Sequence, residues 1–426
     1  MQEVAYREDR WFFIPKSDIR RPTSEIHLGL GHHKTNRSDG MIDRELSEKV
    51  RQLAAQYPVV TITGPRQSGK TTLCRMLFQE RAYVSLEDLD QRDFARQDPR
   101  GFLNRFPQGA VIDEIQRVPE LLSYIQTIVD REQQEGLFIL TGSQQFELLE
   151  GIAQSLAGRT ALLRLLPFSL AEAYGSRLKE VDLDQVLYTG FYPRIFDKGL
   201  NPTEAMGFYV NTYVERDVRS LLHVRDLSRF EVFIKLCAGR TGQILNLSSL
   251  GNDCGINHVT AGNWISVLEA SYVVKLLRPY YKNFNKRLIK SPKLYFLDTG
   301  LACFLLDIQH SGQLAAHPLR GALFESFVVA EMLKKRFNAA QTDNLYFFRD
   351  NLGNEVDLLW DQGLKPIPVE IKAGQTVTRD ALKGLVYFSK LAQGIETAYL
   401  VYGGDESYVR QDVRVTSWRD LHVTGP

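Results

Sequence analysis

Gly64-Pro65-Arg66-Gln67-Ser68-Gly69-Lys70-Thr71-Thr72 follows the apolar run Val59-Val60-Thr61-Ile62 and leads into Leu73, Met76 and Leu77, which recur at helical spacing. A buried strand, a glycine-bearing loop and a helix in that order make a site for an anion. Backbone N–H groups turn inward there, and the positive end of the helix dipole faces the same point. Gly64 and Gly69 supply turns that a side chain would obstruct. In the pattern G-x-x-x-x-G-K-[ST], Lys70 reaches the β- and γ-phosphates of a nucleotide and the Thr71 hydroxyl sits on Mg²⁺. ATP and Mg²⁺ are therefore the expected cofactors, with Pro65, Arg66, Gln67, Ser68 and Thr72 completing the binding loop.

Outward from this loop, strands and helices alternate from Tyr57 onward, which predicts an α/β domain with a mostly parallel sheet. The strand candidates are 58–63, 83–86, 110–113, 137–141 and 162–166. The third delivers Asp113 and Glu114 at its carboxyl end, the edge of a parallel sheet where ligands gather. In that position Asp113 helps to hold Mg²⁺ and Glu114 polarises the attacking water. The fourth strand ends in Thr141-Gly142-Ser143-Gln144, so Ser143 or Gln144 is placed to sense the γ-phosphate. Arg159, in Ala157-Gly158-Arg159-Thr160, closes a helix before the fifth strand. An arginine there reaches a neighbouring subunit's nucleotide and stabilises transition-state charge; an exposed arginine at a helix end is the plainer alternative.

The phosphate loop, Asp113-Glu114-Ile115-Gln116, Thr141-Gly142-Ser143-Gln144, Gly158-Arg159 with Pro167-Phe168-Ser169, and Tyr213-Val214-Glu215-Arg216-Asp217 together resemble a bacterial and archaeal family of AAA-type ATPases. Its members pair the ATPase with a C-terminal domain of unknown function. The resemblance spans about 41 to 405 and implies a P-loop core over 41–167 and a helical lid over 168–235. The lid segment carries Phe208, Tyr209, Tyr213, Val214, Val218, Leu221 and Leu222, spaced for one buried stripe. Arg194, Arg216 and Arg219 are candidates to report nucleotide state, against a default of surface ion pairing. The chain departs from the family pattern at Gly190-Phe191-Tyr192-Pro193-Arg194, where members often carry a second glycine and an acidic residue.

Residues 236–300 read as a winged-helix module. Leu247-Ser248-Ser249-Leu250 opens one helix, Asn257 to Leu268 forms a second, and strands follow at 272–277 and 293–297. Lys282, Lys286, Arg287 and Lys290, interleaved with Tyr280, Tyr281 and Phe284, lie between the strands. A recognition helix with a basic wing suits DNA; a winged helix used for protein contacts fits the same residues equally well.

The stretch 301–426 resembles a restriction-endonuclease core of the PD-(D/E)-x-K type. Asp357 on one strand and Glu370 on the next converge on a divalent metal, and Lys372, two residues on, shares the face of Glu370. Glu325, from the preceding helix, completes the site. Phosphodiester hydrolysis needs that set: carboxylates for the ion and a cation near the attacking water. A ladder of acids and lysines paired on a sheet is the alternative.

Composition sets the frame. A chain of 426 residues, 44% hydrophobic and 24% charged, calls for two or three domains of globular type. The formal net charge of +1 gives no global pull towards nucleic acid or membrane, so contacts with either must be local. Cys74, Cys237, Cys254 and Cys303 lack metal spacing and read as reduced thiols of a cytoplasmic protein. No apolar run is long enough for a membrane span. Residues 1–40 read as a disordered arm, with Met41 as a natural start, in preference to a metal site at His32 and His33. The expected activity is ATP hydrolysis coupled to a process on nucleic acid, in concert with other subunits, with DNA cleavage by the C-terminal domain. The rivals are a nucleotide-controlled switch that binds protein partners, its nuclease fold serving as a platform, and a stand-alone nuclease gated by nucleotide.

Overall fold

Six consecutive buried residues, Val59 to Gly64, form β1, which lies between two parallel neighbours. A strand covered on both faces needs such a continuous apolar, β-branched run. Its two threonines are satisfied within the sheet: Thr61 Oγ1 meets Thr160 Oγ1 at 2.9 Å, and Thr63 Oγ1 donates to the Leu163 carbonyl at 3.2 Å. With β2 (Ala82–Ser85), β3 (Ala110–Asp113), β4 (Phe138–Ser143) and β5 (Thr160–Arg164), β1 builds a parallel sheet in the order β2-β3-β4-β1-β5. Alternate strand residues feed two apolar layers, Val59, Ile112 and Leu140 on one face and Val60, Val111 and Ile139 on the other. The register pairs Gly64 with Ser143 and Ser85 with Asp113, so the carboxyl ends of β1, β3 and β4 meet at one edge.

This computed structural model describes residues 42–143, 151–152, 154–214, 227–280, 290–363, 365–392, 395 and 397–422. Residues 1–41, with His32 and His33, the residues Gln144, Glu215, Arg216, Asp217, Val218, Arg219, Leu221 and Leu222, and Tyr281, Lys282, Phe284, Lys286 and Arg287, expected on a basic turn, lie outside them.

Short helices follow β5: Leu170–Tyr174, Leu183–Thr189, Pro193–Lys198 and Pro202–Tyr209. One expectation fails here. Phe208 is 70% exposed, whereas Met206, Tyr209 and Val210 are buried, because the helix turns those three towards the core and Gly207 towards Phe304. The departure at Gly190-Phe191 has a structural role. Gly190 adopts φ 66°, ψ −156°, a region open essentially only to glycine, and a Cβ there would fall 2.4 Å from Asp298 Oδ1. Asp298 accepts from Phe191 N at 2.8 Å and from Leu301 N at 2.9 Å, capping the Thr299–Leu305 helix while it anchors the loop.

The rest of the chain builds a second sheet of β6 (Gln243–Ile244), β7 (Val274–Pro279), β8 (Lys293–Phe296), β9 (Leu345–Arg349), β10 (Glu355–Asp361), β11 (Pro366–Lys372), β12 (Ala398–Tyr402), β13 (Tyr408–Arg410) and β14 (Val413–Ser417). Its order is β13-β14-β12-β11-β10-β9-β7-β8-β6. The Leu227–Ala238 helix, β6, the helices Leu247–Cys254 and His258–Ala270, and the antiparallel pair β7–β8 follow one another in the middle segment. Parallel pairing of Arg278 with Tyr346 and Pro279 with Phe347 joins that segment's strands to the C-terminal ones. Tyr280, expected on the basic turn, is instead buried, its ring centroid 5.5 Å from that of Tyr346. The Arg320–Asn338 helix is buried along most of its length and touches β5, β8, β11 and the Leu46–Ala54 helix.

Candidate functional site

The phosphate loop turns from β1 through Gly64 at φ 153° and enters the Lys70–Leu77 helix through Gly69 at φ 92°. A Cβ at Gly64 would lie 2.1 Å from the Leu165 carbonyl oxygen, so the close approach to β5 requires glycine. Pro65, Arg66, Gln67 and Ser68 form the turn, with Gln67 in the left-handed region at φ 59°. Lys70 is buried, and its Nζ donates to the Gly64 and Pro65 carbonyls at 3.0 and 2.8 Å. Burial pulls its pKa down to about 8, with Glu114 and then Asp113 acting the other way. Thr72, next along the helix, faces solvent.

Asp113 is the centre of the polar group at the sheet edge. Its Oδ2 accepts from Thr71 Oγ1 at 2.9 Å and from Tyr83 OH at 2.8 Å, and its Oδ1 accepts from Thr141 Oγ1. Glu114 follows in the left-handed region at φ 57°. Gln116 Nε2 donates to Glu114 Oε2 and, at 3.0 Å, to Ser143 Oγ, linking the end of β3 to the end of β4. The buried Ser68 Oγ has no hydrogen-bond partner inside the loop. A buried cation, an unpartnered hydroxyl and a carboxylate adjoining a threonine hydroxyl fit the phosphates of a nucleotide and a hard cation bound by oxygen.

Arg159 is elsewhere. Its carbonyl accepts from Val59 N at 3.2 Å, which places it at the start of β1, the opposite end from the phosphate loop. Its guanidinium pairs with Asp130 through Nε–Oδ1 at 2.6 Å and Nη2–Oδ2 at 2.9 Å. Arg194 is exposed on the helix that begins at Pro193, whose Cγ lies 4.0 Å from where a Cβ of Gly69 would stand.

A second cluster gathers on the large sheet. Asp357 on β10 and Glu370 on β11 are both buried, Lys372 at the end of β11 is half-exposed, and Glu325 projects from the Arg320–Asn338 helix. Lys372 Nζ lies 2.6 Å from Glu370 Oε1 and 3.4 Å from Asp357 Oδ2, which also accepts from Ile371 N at 2.9 Å. Sequence reasoning missed two members. Lys293 of β8, 3% exposed, pairs with Glu355 and stands 3.8 Å from Asp357 Oδ1. Tyr295, also on β8, donates to Glu325 Oε2 at 3.1 Å. Burial, and then the charge of Asp357, push Glu325 and Glu370 above the usual carboxylate range. Burial works to lower Lys372 and Lys293, and the surrounding carboxylates outweigh it.

Among the described residues, no group of three or more His, Cys, Asp and Glu stands ready to hold a metal, and lysines bridge the acids of this cluster. The donor chemistry still fits a hard divalent ion: oxygen ligands only, mutually repelling, with Glu370 Oε2 buried and unpartnered.

Comparison with known proteins adds to this geometry. Residues 56–174 match a family model described as an AAA domain. With the phosphate loop and the parallel sheet, that match supports an AAA-type P-loop ATPase fold for the stretch. Beyond it, residues 180–312 and 320–421 match two domains of unknown function, DUF8612 and DUF4143. Uncharacterized proteins of Mycobacterium tuberculosis and Mycobacterium bovis are each 28% identical to this chain over 388 residues, covering 89% of it and 84% of the relative. Among solved structures, a Walker-type ATPase of Pyrococcus abyssi superimposes with a TM-score of 0.44 at 16% identity, over 64% of this chain and 98% of that one. No helix among the described residues is long and apolar enough to cross a membrane.

Proposed function

We propose that this chain hydrolyses ATP and that its C-terminal cluster acts on the phosphodiester backbone of nucleic acid. The observation that carries the first half is convergence on one carboxylate: Asp113 receives Thr71, Tyr83 and Thr141 beside the loop that holds the buried Lys70. In this reading Lys70, as an ammonium, binds the nucleotide phosphates. Thr71 and Asp113 would hold Mg²⁺, which neutralises phosphate charge when bound. Glu114, aimed by Gln116, orients the attacking water and takes its proton, while Ser143 hydrogen-bonds near the terminal phosphate. Gln144 belongs to the same proposed set from its place in the sequence.

The second half rests on Lys372 standing within hydrogen-bonding reach of both Asp357 and Glu370, with Glu325 held by Tyr295 beside them. The three carboxylates would hold a divalent ion, and Lys372 would steady a hydroxide next to it. The order helix, strand, helix, helix, strand, strand over 227–296 is that of a winged helix, which supports a nucleic-acid contact close to the cluster.

One assay on the full chain separates the parts. Glu114→Gln is expected to keep ATP affinity and lose turnover by roughly 100-fold or more, because only water activation is removed. Asp357→Ala is expected to keep ATPase activity and lose Mg²⁺- or Mn²⁺-dependent cleavage of single-stranded, duplex or branched DNA and RNA. Wild-type protein silent on every nucleic acid with both metals, with and without ATP, would leave the cluster as an ion-paired platform and favour the protein-binding switch.

A further inference from the structure

Arg44 precedes both the AAA-domain match and the phosphate-loop motif, yet it is buried against the loop. Its Nη1 donates to the Ser68 carbonyl at 2.7 Å, and a Cβ at Gly69 would stand 3.5 Å from the same nitrogen. Its Nη2 donates to the Leu166 carbonyl at 2.7 Å, beyond β5, and its Nε pairs with Glu172 Oε1 at 3.0 Å. The guanidinium plane also lies over the Phe168 ring, 5.0 Å from the centroid. A planar, permanently charged fork that satisfies three fixed acceptors and a ring is a rigid clamp, which lysine cannot reproduce in full.

The contacts continue beyond the clamp. Glu172 accepts from Glu45 N at 2.7 Å and Ser169 N at 2.8 Å, closing a capping box on the Leu170–Tyr174 helix. The first residue of that helix, Leu170, donates its N–H to Glu331 Oε2 at 2.8 Å. Glu331 sits on the Arg320–Asn338 helix, where its other oxygen pairs with the buried Lys334 at 2.8 Å. Lys334 Nζ lies 3.9 Å over the Phe191 ring, next to the Asp298 anchor. The same helix bears Glu325, six residues before Glu331. The phosphate loop is thus linked to the helix that bears Glu325 by charge-assisted hydrogen bonds on either side of one short backbone segment, Ser169-Leu170.

We propose that Arg44 is a positioning residue for the phosphate loop, and that through Glu172 and Glu331 it ties the conformation of that loop to the helix carrying Glu325. The element with two arrangements is the loop itself. Lys70 here spends two of its three N–H donors on the loop's own carbonyls, and phosphates entering the loop draw on the third and on the backbone N–H groups, among them Gly69 N–H, which belongs to the same peptide as the Ser68 carbonyl that Arg44 holds. The proposal rests on nucleotide binding at this loop; it requires no nuclease activity.

The test uses the full chain, a fluorescent non-hydrolysable ATP analogue, and amide hydrogen exchange read on peptides covering 320–338. Wild type is expected to bind the analogue and to change exchange in those peptides. Arg44→Met is expected to weaken binding about tenfold and, at saturating analogue, to lose the distant response, with Arg44→Lys in between. Arg44→Met leaves the buried Glu172 carboxylate two backbone donors and no cation, so Arg44→Met/Glu172→Gln, which removes the charge and keeps an acceptor for those donors, is measured beside it with the same expected result. The double variant Glu331→Met/Lys334→Met removes both members of a buried pair together, which folds tolerate far better than removing one. It is expected to bind the analogue within twofold of wild type and to lose the response at 320–338. A purely structural role for Arg44 would lower the melting temperature and leave the response of bound protein intact, and that result overturns the proposal. So does an unchanged helix in wild type saturated with analogue. Absence of analogue binding by folded wild type would bring down the nucleotide reading itself and this coupling with it.

Discussion

Lys70 is a buried base with a pKa pulled down to about 8, first by burial, so its charge is sensitive to pH in a range that most lysines never notice. Below that value it is an ammonium ready for phosphate; above it the free amine must take up a proton before it can bind. ATP affinity is therefore expected to weaken as pH rises through about 8, approaching tenfold per unit at the limit, by proton linkage. Lys70→Arg, always charged, should give a flat profile to pH 10 if it still binds. Titration of a fluorescent ATP analogue from pH 6 to 10 reads both, and a flat wild-type profile would refute the low pKa. Lys70, Thr71, Asp113 and Glu114 were legible at this scale because contiguous motifs carry them. Arg44 and Tyr83 are not, since each acts on the site from a place that only the folded chain brings near; Gln116 lies inside a contiguous motif, yet its bond across to Ser143 has no sequence signal.

At the scale of elements, the link between the Gly190-Phe191 loop and Asp298 ties the short helices after β5 to the Thr299–Leu305 helix, and it depends on one missing Cβ. Gly190→Ala would force a non-glycine residue into φ 66°, ψ −156° and drive its Cβ to 2.4 Å from Asp298 Oδ1 and 2.8 Å from Gly300 N. We expect a loss of about 2–4 kcal/mol in urea unfolding, from backbone strain plus a displaced buried carboxylate. A change below about 0.5 kcal/mol would show that the loop relaxes freely. The strands β1 to β5 could be placed from sequence to within two residues, since each is a short apolar run between polar turns. The pairing of β7 with β9, which merges two expected modules into one sheet, left no local trace: it joins Arg278 to Tyr346 across a long stretch of chain. For the same reason Lys293 and Tyr295 read in the sequence as strand residues only, whereas Phe208 misleads locally, because apolar spacing does not fix which side of its helix faces the core.

For the whole molecule, the position of Arg159 bears on assembly. It sits at the start of β1, and the phosphate loop begins at Gly64, about 17 Å away along a strand rising roughly 3.3 Å per residue. That distance exceeds the reach of an arginine side chain, so Arg159 cannot serve the nucleotide of its own chain. The guanidinium is partly exposed and held by Asp130 in a pair that solvent screens, which leaves a neighbouring subunit's phosphates as the target to test. The expectation is complementation. Lys70→Ala chains lack a working loop, Arg159→Ala chains lack the donated cation, and each alone should hydrolyse ATP poorly. Co-assembled in equal amounts, they create interfaces in which an intact Lys70 faces an intact Arg159. Random head-to-tail mixing makes these about one quarter of all interfaces, so up to about a quarter of wild-type turnover should return. The control is Asp130→Ala, which frees Arg159 and should leave turnover near wild type. Mixed oligomers, verified by mass, that recover no activity would show that Arg159 is a surface ion-pair residue. An active enzyme that sediments as a monomer would show the same.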